Sequence, residues 1–536
     1  MSNPPSAPLR GSRGPLLATA CALSLLAGAP LRAQEATPAN GVTLREALRA
    51  AATSGAAVQI AEQDVRMREG ALTSARGYYA TQFGTSVNSS QKDSPGGAAL
   101  AEQPGAVASQ RTTSYQAAVT RVLPVGATVQ TGVTLSHVAN DMAAPATSVL
   151  PANQAGVSLR MDVPVWRDRG GVALRANERV ARLDLQGGTL ELEHATASAA
   201  LETASAFWDY LAAQQRLDVQ RQAEARAERL SNDVRALIRA DERPPADLNQ
   251  TLASLSSRHI ARIAAEQAVV EARQRLGRAM GMSADEVAAL PAAAGAFPAA
   301  APFAPGTEQL QRMVAEAYAG RRDLAAAEQR VGSSAVALAA ARNGVKPRLD
   351  LQLGVGYTGL TSGSGLNDVV GPFYRDAPGM NASVGVSYSG ASSNPESRGR
   401  VLQQAAVQEQ RRIAARDLRA RIGARVAASA EALRRSVLAL AHADESVELS
   451  RRMVENEQSK NRLGANTLFE VILAEDGLTN ALLSRVAAQM DHALAIARLR
   501  FETGALAAAS DAAQQERLLA ETPATSPSAP VASPER

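Results

Sequence analysis

The stretch Val157-Ser158-Leu159-Arg160-Met161-Asp162-Val163-Pro164-Val165-Trp166-Arg167-Asp168-Arg169-Gly170-Gly171 decides the fold, because its periodicity changes partway along. Up to Val165, apolar and polar residues alternate one by one, the period of a β-strand with one apolar and one polar face. From Gly171 to Arg239 no proline occurs, and apolar positions step by three and four: Leu201, Ala204, Trp208, Leu211, then Leu230, Val234, Leu237. That is coiled-coil spacing, and alanine in the seam allows close approach. At 1.5 Å per residue such a helix reaches about 100 Å. It needs partner helices, because a narrow apolar stripe on an isolated helix buries nothing.

The same passage occurs a second time. Leu349, Leu351, Leu353, Val355 and Tyr357 alternate with polar residues and glycine, as do Ala382, Val384, Val386 and Tyr388. A second proline-free run, Arg398 to Arg462, follows. The helical pattern Leu44–Arg76 returns at Leu310–Arg342, an offset of 266, with Glu62-Gln63 matching Glu328-Gln329. Both long helices break just before an acidic residue, Asp247 or Glu470, an offset of 223. The difference between the offsets, 43, falls between Gly77 and Gly171. It includes a further strand-like pair, Tyr115–Val122 and Thr128–Val138, joined at Pro124-Val125-Gly126. These are either two added barrel strands or an extracellular hairpin. The chain is therefore two repeats of helix, strands, long helix, break and helix. The expected fold class is mainly α, with long antiparallel coiled-coil helices and a membrane β-barrel. Strands of about 9–11 residues with one apolar face and tyrosines near their ends suit a barrel wall. A sandwich edge with its polar side wet is the alternative.

The 536 residues carry a formal net charge of +4, one cysteine and 3% aromatic residues. A single cysteine excludes a disulfide scaffold and a cysteine-ligated zinc site. Near-neutrality excludes binding of nucleic acid through a broad basic field. Residues 1–33 read as a secretory leader: Arg10 and Arg13 precede a short apolar run, Leu16–Gly28, and Ala33 offers a cleavage point. Cys21 lies inside that run as a small apolar residue rather than a lipid-attachment site, and without the leader the charge is +1. The expected organisation is 34–290 for the first repeat, 291–306 for a Pro/Ala linker, 307–510 for the second repeat, and 511–536 for a disordered Pro/Ser/Ala tail. Gly354-Val355-Gly356-Tyr357-Thr358-Gly359 fits a dinucleotide fingerprint but sits inside an alternating strand with no helix after it. His137, His194, His259, His442 and His492 show no paired spacing, so no metal site, cofactor or catalytic constellation is expected.

The breaks carry the candidate functional residues. Gly464 can take the positive φ of a helix-ending turn. Thr467 can cap the next helix, with Glu470 three residues on completing a capping box. Capping is thus one reading of Glu470, and of Asp247 at the first break. Trp166, at a strand end, is read as a membrane-interface anchor.

Leader, duplicated helix–strand–helix units and two tips together resemble the TolC-like outer membrane efflux factors, over about Thr43 to Gly504. Arg462-Leu463-Gly464-Ala465-Asn466-Thr467-Leu468-Phe469-Glu470-Val471 is similar to the family pattern R-x-G-x-x-T-x-x-D/E-V/L, and Val163–Gly171 to its strand-to-helix passage. The first tip departs, with Asp241 where the family usually has glycine and Pro244-Pro245 following. The resemblance implies a homotrimer in the outer membrane lipids, each chain giving four strands, or more if the extra pair joins, to one shared barrel. It implies a hollow periplasmic tunnel closed by the tips, where the second reading of Glu470, and likewise of Asp247, is a gating carboxylate ring at the tunnel mouth, which would favour cations. It also implies partnership with a periplasmic adaptor (membrane fusion) protein and an inner-membrane pump, in efflux or type I secretion, with no chemistry of its own. A periplasmic coiled-coil adaptor or a trimeric surface structural protein is the alternative.

Overall fold

The computed structural model describes residues 41–95, 107–141, 152–362, 368, 370–373, 379–391, 393–509 and 511–523. The expected leader and the last residues of the tail lie outside them. Two helices, α1 (Leu44–Ser54) and α2 (Ala56–Gly77), lead into strands β1 (Gln82–Pro95), β2 (Val107–Val122), β3 (Thr128–Asp141) and β4 (Ala152–Pro164). Helix α3 (Val172–Arg239) then runs 68 residues to the first tip, and α4 (Ala246–Ala279) returns, followed by the short α5 (Ala284–Ala288). The second repeat follows the same order: α6 (Thr307–Gly320), α7 (Arg322–Gly344), β5 (Arg348–Ser362), β6 (Gly379–Ser389), α8 (Pro395–Arg462) and α9 (Leu468–Glu502). Two short helices close the chain, α10 (Ala505–Ala508) and α11 (Ala512–Ala520).

Each long helix has two half-length partners within its own repeat, and α3 also packs on α7 and α9 of the second. Helix α3 packs on α2 over the half near the sheet and on α4 over the half near the tip; α8 packs on α7 and α9 in the same way. The half-length helices meet midway in a joint built twice. Gly55, extended at φ −61 and ψ 125, separates α1 from α2, and Arg321, at φ −73 and ψ 112, separates α6 from α7. The two positions stand at the same offset as the helical patterns that contain them. Against each break lies a left-handed glycine ending a returning helix: Gly281 (φ 76) against Ser54 and Gly504 (φ 78) against Gly320. A Cβ on Gly281 would lie 2.1 Å from the Ser54 carbonyl oxygen, and one on Gly504 would lie 2.6 Å from the Gly320 carbonyl carbon. Only glycine permits that approach at that φ.

The main core surrounds the first of these joints, with Trp208 2% exposed among Phe207, Leu211, Leu48 and Leu276. In the second joint Arg321 is itself buried. Its guanidinium donates to Asp323 at 2.7 Å and to Glu502 at 2.6 Å and stands 4.9 Å from the Phe501 ring centroid.

One expectation needs correction. Residues 511–520 are not a disordered tail. Helix α11 is capped by Asp511, buries Leu519 completely and ties Glu516 to Arg45 on α1. Alanine and glutamine hid its amphipathic pattern. The 291–306 segment between the repeats lacks helix and strand and is pinned to the trunk: Ala293 bridges to Val42 and Phe303 is buried against α8 and α9.

The strands form one antiparallel sheet in chain order, β1-β2-β3-β4-β5-β6, with β4 and β5 joining the two repeats. Register places apolar residues in continuous rows, such as Phe83, Val119, Thr131, Leu159, Val355 and Ala382. The next row on the opposite face reads Gly84, Ala118, Gly132, Ser158, Gly356 and Asn381. Phe83, Tyr115, Val133, Leu159, Val355 and Val384 are all exposed, one from each strand. Along β5 the apolar series Leu349 to Tyr357 spans about 27 Å at 3.4 Å per residue, which is about 21 Å of height at a tilt of about 40° and falls within a barrel's lipid-facing band of about 25 Å. The helices all join the sheet at one end, where Tyr78, Trp166 and Tyr388 are exposed. The glycine-rich stretch that mimics a dinucleotide fingerprint lies within β5, where Gly354 and Gly356 sit on the polar face.

Candidate functional site: the paired helical tips

Both tips use one turn, repeated at the offset of the two breaks. In the first, Asp241 N–H donates to the Ile238 carbonyl and Glu242 N–H to the Leu237 carbonyl; in the second, Gly464 donates to Asn461 and Ala465 to Lys460. This is a Schellman ending, and it demands a left-handed residue after the helix. Gly464 supplies it at φ 71, and Asp241 at φ 64. The departure at Asp241 thus preserves the backbone path. Aspartate tolerates this region better than most residues but not freely.

The return helices start differently. Thr467 caps α9, and its N–H donates to the Glu470 carboxylate at 3.1 Å, completing the expected capping box. Glu470 remains exposed, so its charge faces water at the tip. Pro245 occupies the corresponding start of α4, and no side chain caps it. Asp247 is partly buried and paired with Arg243 at 3.2 Å. Trp166 stands about 100 Å away, at the other end of α3. The five histidines stay apart, and among the described residues no group of three or more His, Cys, Asp or Glu could hold a metal.

The residues that join the tips carry no mark in the sequence. Three arginines of the first repeat reach four acceptors of the second. Arg226 on α3 donates through Nε to Glu475 on α9 at 2.7 Å and through Nη2 to Thr479 at 3.3 Å. Arg243, in the first tip, donates to Asn461 Oδ1 at 2.8 Å while it holds Asp247. Arg258 on α4 pairs with Asp476 on α9. Burial, helped by the neighbouring Arg226 charge, pulls the Arg258 pKa down, and the Glu475 carboxylate opposes that. These groups line a cleft of about 410 Å³ between the two coiled-coil pairs. In the second tip, hydrogen bonds from Lys460 and Asn466 hold the Glu457 carboxyl below the usual carboxylate range. Partners 218 to 253 residues apart leave no local signal. Sequence could only have hinted at them through polar residues on a coiled-coil face directed at another pair.

No protein-family model and no curated sequence matches the chain. Solved structures do. The Campylobacter jejuni CmeC outer membrane channel superposes with a TM-score of 0.65 at 12% identity, covering 89% of each chain. VceC, an outer membrane protein of Vibrio cholerae, gives 0.62 at 12% identity over 86% of this chain and 96% of that one. The open state of the Neisseria gonorrhoeae MtrE outer membrane channel gives 0.59 at 14% identity over 86% and 88%. A trunk of duplicated long helices, closed at one end by paired tips and ending at the other in an antiparallel sheet with an apolar face, is thus the fold of the TolC-like outer-membrane channels.

Proposed function

We propose that the chain is the outer-membrane exit duct of a Gram-negative-type envelope, a homotrimer whose copies share one barrel and one periplasmic helical tunnel. The observation that carries this reading is the apolar face to which all six strands contribute exposed apolar side chains, at the end opposite the tips. In water such a face is a liability; in a bilayer it is a requirement. Trp166, with Tyr78 and Tyr388 at the same end of the sheet, would anchor the periplasm-facing interface of the outer membrane. A periplasmic adaptor protein and an inner-membrane pump would deliver the cargo, as efflux of small molecules or as type I secretion of polypeptide. The alternative of a coiled-coil adaptor, with one hairpin between small β-domains, has no counterpart in two coiled-coil pairs joined to one sheet. The chain should fractionate with outer membranes and migrate as a heat-modifiable oligomer. Recovery in the soluble periplasmic fraction would overturn the reading.

The tips would act as the gate, held shut by the Arg226, Arg243 and Arg258 ties. Glu470 would contribute a ring of three carboxylates at the mouth. Glu470→Gln separates its two roles, because glutamine also completes a capping box while removing the charge. Cation preference in planar bilayers should fall while helix stability holds; unchanged selectivity and unchanged divalent block would eliminate the ring.

A further inference from the structure

We propose that the closed barrel contains eighteen strands, six from each of three copies, with β6 of one copy paired to β1 of the next around the ring. The inference rests on the exit-duct reading and concerns the width of its membrane part.

Strands β2 and β3 are wall, not ornament. They are 16 and 14 residues long, as long as β4 and β5 at 13 and 15. They carry the same two faces in the same rows: Tyr115, Ala117 and Val119 with Val129, Thr131, Val133 and Leu135 on the apolar side, Gln116 with Thr134 and Gln130 with Thr120 on the polar side. Their connecting turn lies at the helix end of the sheet and is built into the trunk. Leu123 N–H donates to the Ala127 carbonyl, and Gly126 turns at φ 87. A Cβ on Gly126 would lie 3.0 Å from Gly171 at the start of α3, and one on Gly171 would lie 2.2 Å from the Pro124 carbonyl oxygen. Arg175 on α3 donates to that same carbonyl at 3.0 Å. A hairpin outside the wall would have no cause to be locked there.

Closure follows from parity and from fit. Among the described residues β1 and β6 each pair on one side only, and an open sheet edge does not survive in hydrocarbon. In a six-stranded meander the two edge strands run in opposite directions, so edge-to-edge joining of identical copies continues an antiparallel wall. Near the sheet each copy presents four helices, α2, α3, α7 and α8. At 8–10 Å spacing these occupy an arc of about 32–40 Å. Six strands spaced about 4.8 Å apart and tilted about 40° occupy an arc of about 37 Å, whereas four occupy about 25 Å. The six-stranded sheet fits the circumference of its own trunk, and the exit is about half as wide again as one built from four strands per copy.

Strand counting by electron cryomicroscopy of the full-length oligomer extracted from outer membranes tests this without any variant. Eighteen strands in a three-copy ring are expected. A twelve-stranded ring with β2 and β3 outside it would overturn the inference and leave the duct intact; a chain that forms no ring overturns both. A second measurement uses single cysteines placed in a Cys21→Ser background and read against water-soluble maleimide. Val133→Cys and Leu135→Cys should react at least about tenfold more slowly than Gln130→Cys and Thr134→Cys, and a lipid-borne quencher should reach the first pair alone. Equal reactivity at all four positions would overturn the inference.

Discussion

Removing Arg226 should splay the tips. Its guanidinium and the Glu475 carboxylate are each about four-fifths buried, at 20% and 16% side-chain exposure. It makes one charged hydrogen bond to Glu475 and one to Thr479. In Arg226→Ala, Glu475 keeps its bond from Gln458 at 3.0 Å and remains near Arg258, so its charge is weakened in support rather than abandoned. A charged hydrogen bond contributes about 1.5–3 kcal/mol, and with that residual compensation a loss of about 2 kcal/mol is the working figure. All of it falls on the closed arrangement, because the pair links α3 of one repeat to α9 of the other. Two kcal/mol is about a 30-fold change in the ratio of closed to splayed tips.

The assay is the distance between spin labels at Arg239→Cys and Arg462→Cys, exposed positions at the ends of α3 and α8. Arg226→Ala should broaden and lengthen the distribution, and Arg226→Lys, which keeps the charge but loses the planar fork, should fall between it and the parent. The melting temperature should move little, since the main core surrounds the midway joint. A distribution unchanged by Arg226→Ala would refute the view that this tie holds the two pairs together. Higher open probability in planar bilayers should accompany the splaying.

Three further outcomes are expected. At the tips, Gly464→Ala should cost about 1 kcal/mol while Asp241→Gly gains about 0.5 kcal/mol, because both positions are left-handed; denaturant unfolding of the two variants in opposite directions checks it. At the joints, Gly281→Ala and Gly504→Ala should each cost about 2–4 kcal/mol, since the new Cβ meets backbone in a strained conformation; two variants with parent-like melting would contradict the joint geometry. Burial lowers the pKa of His492, whose Nδ1 lies 3.0 Å from Ser436 Oγ, so between the ordinary histidine value near about 6.5 and the lower folded value the unfolded chain binds more protons. Stability should therefore fall on acidification below that ordinary value, and His492→Gln should flatten the decline in melting temperature from pH 7 to pH 5.

What was legible in the sequence was whatever repeats within one element or between the two copies. Alternation at Val157–Val165 and Leu349–Tyr357 marked strand faces, and the proline-free stretches marked α3 and α8, because both signals are local. The turn at Gly464 was readable because glycine, threonine and glutamate stand at capping distances. Asp241 concealed an equivalent turn, since side-chain identity does not reveal a φ that the fold imposes. Tyr115–Val138 showed which residues share a face but not which strand lies beside them. That is settled by register and by the Gly126–Gly171 contact. The arginine ties were invisible for the opposite reason. Each joins residues more than two hundred positions apart, on helices whose polar faces otherwise look solvated.

The two repeats also explain where the chain could depart from its own symmetry. The midway joints are duplicated position for position, Gly55 with Arg321 and Gly281 with Gly504, because a returning helix must meet a broken one at a fixed distance from the tip. Any insertion within α3 or α8 would rotate the seam by about 100° per added position and shift the tip past its partner. The sheet has no such constraint along its width. One added strand would reverse the direction of β4 and send the chain away from the trunk; two added strands return it to the same end. The extra length of the first repeat lies where an even addition of strands leaves every helix in register. The new turn then needs only a backbone site to rest on, and Gly126 against Gly171 provides it. The width of the sheet can therefore change independently of trunk length and tip geometry, and a substitution that blocks the Gly126–Gly171 approach should disturb the sheet end while leaving the tips as they are.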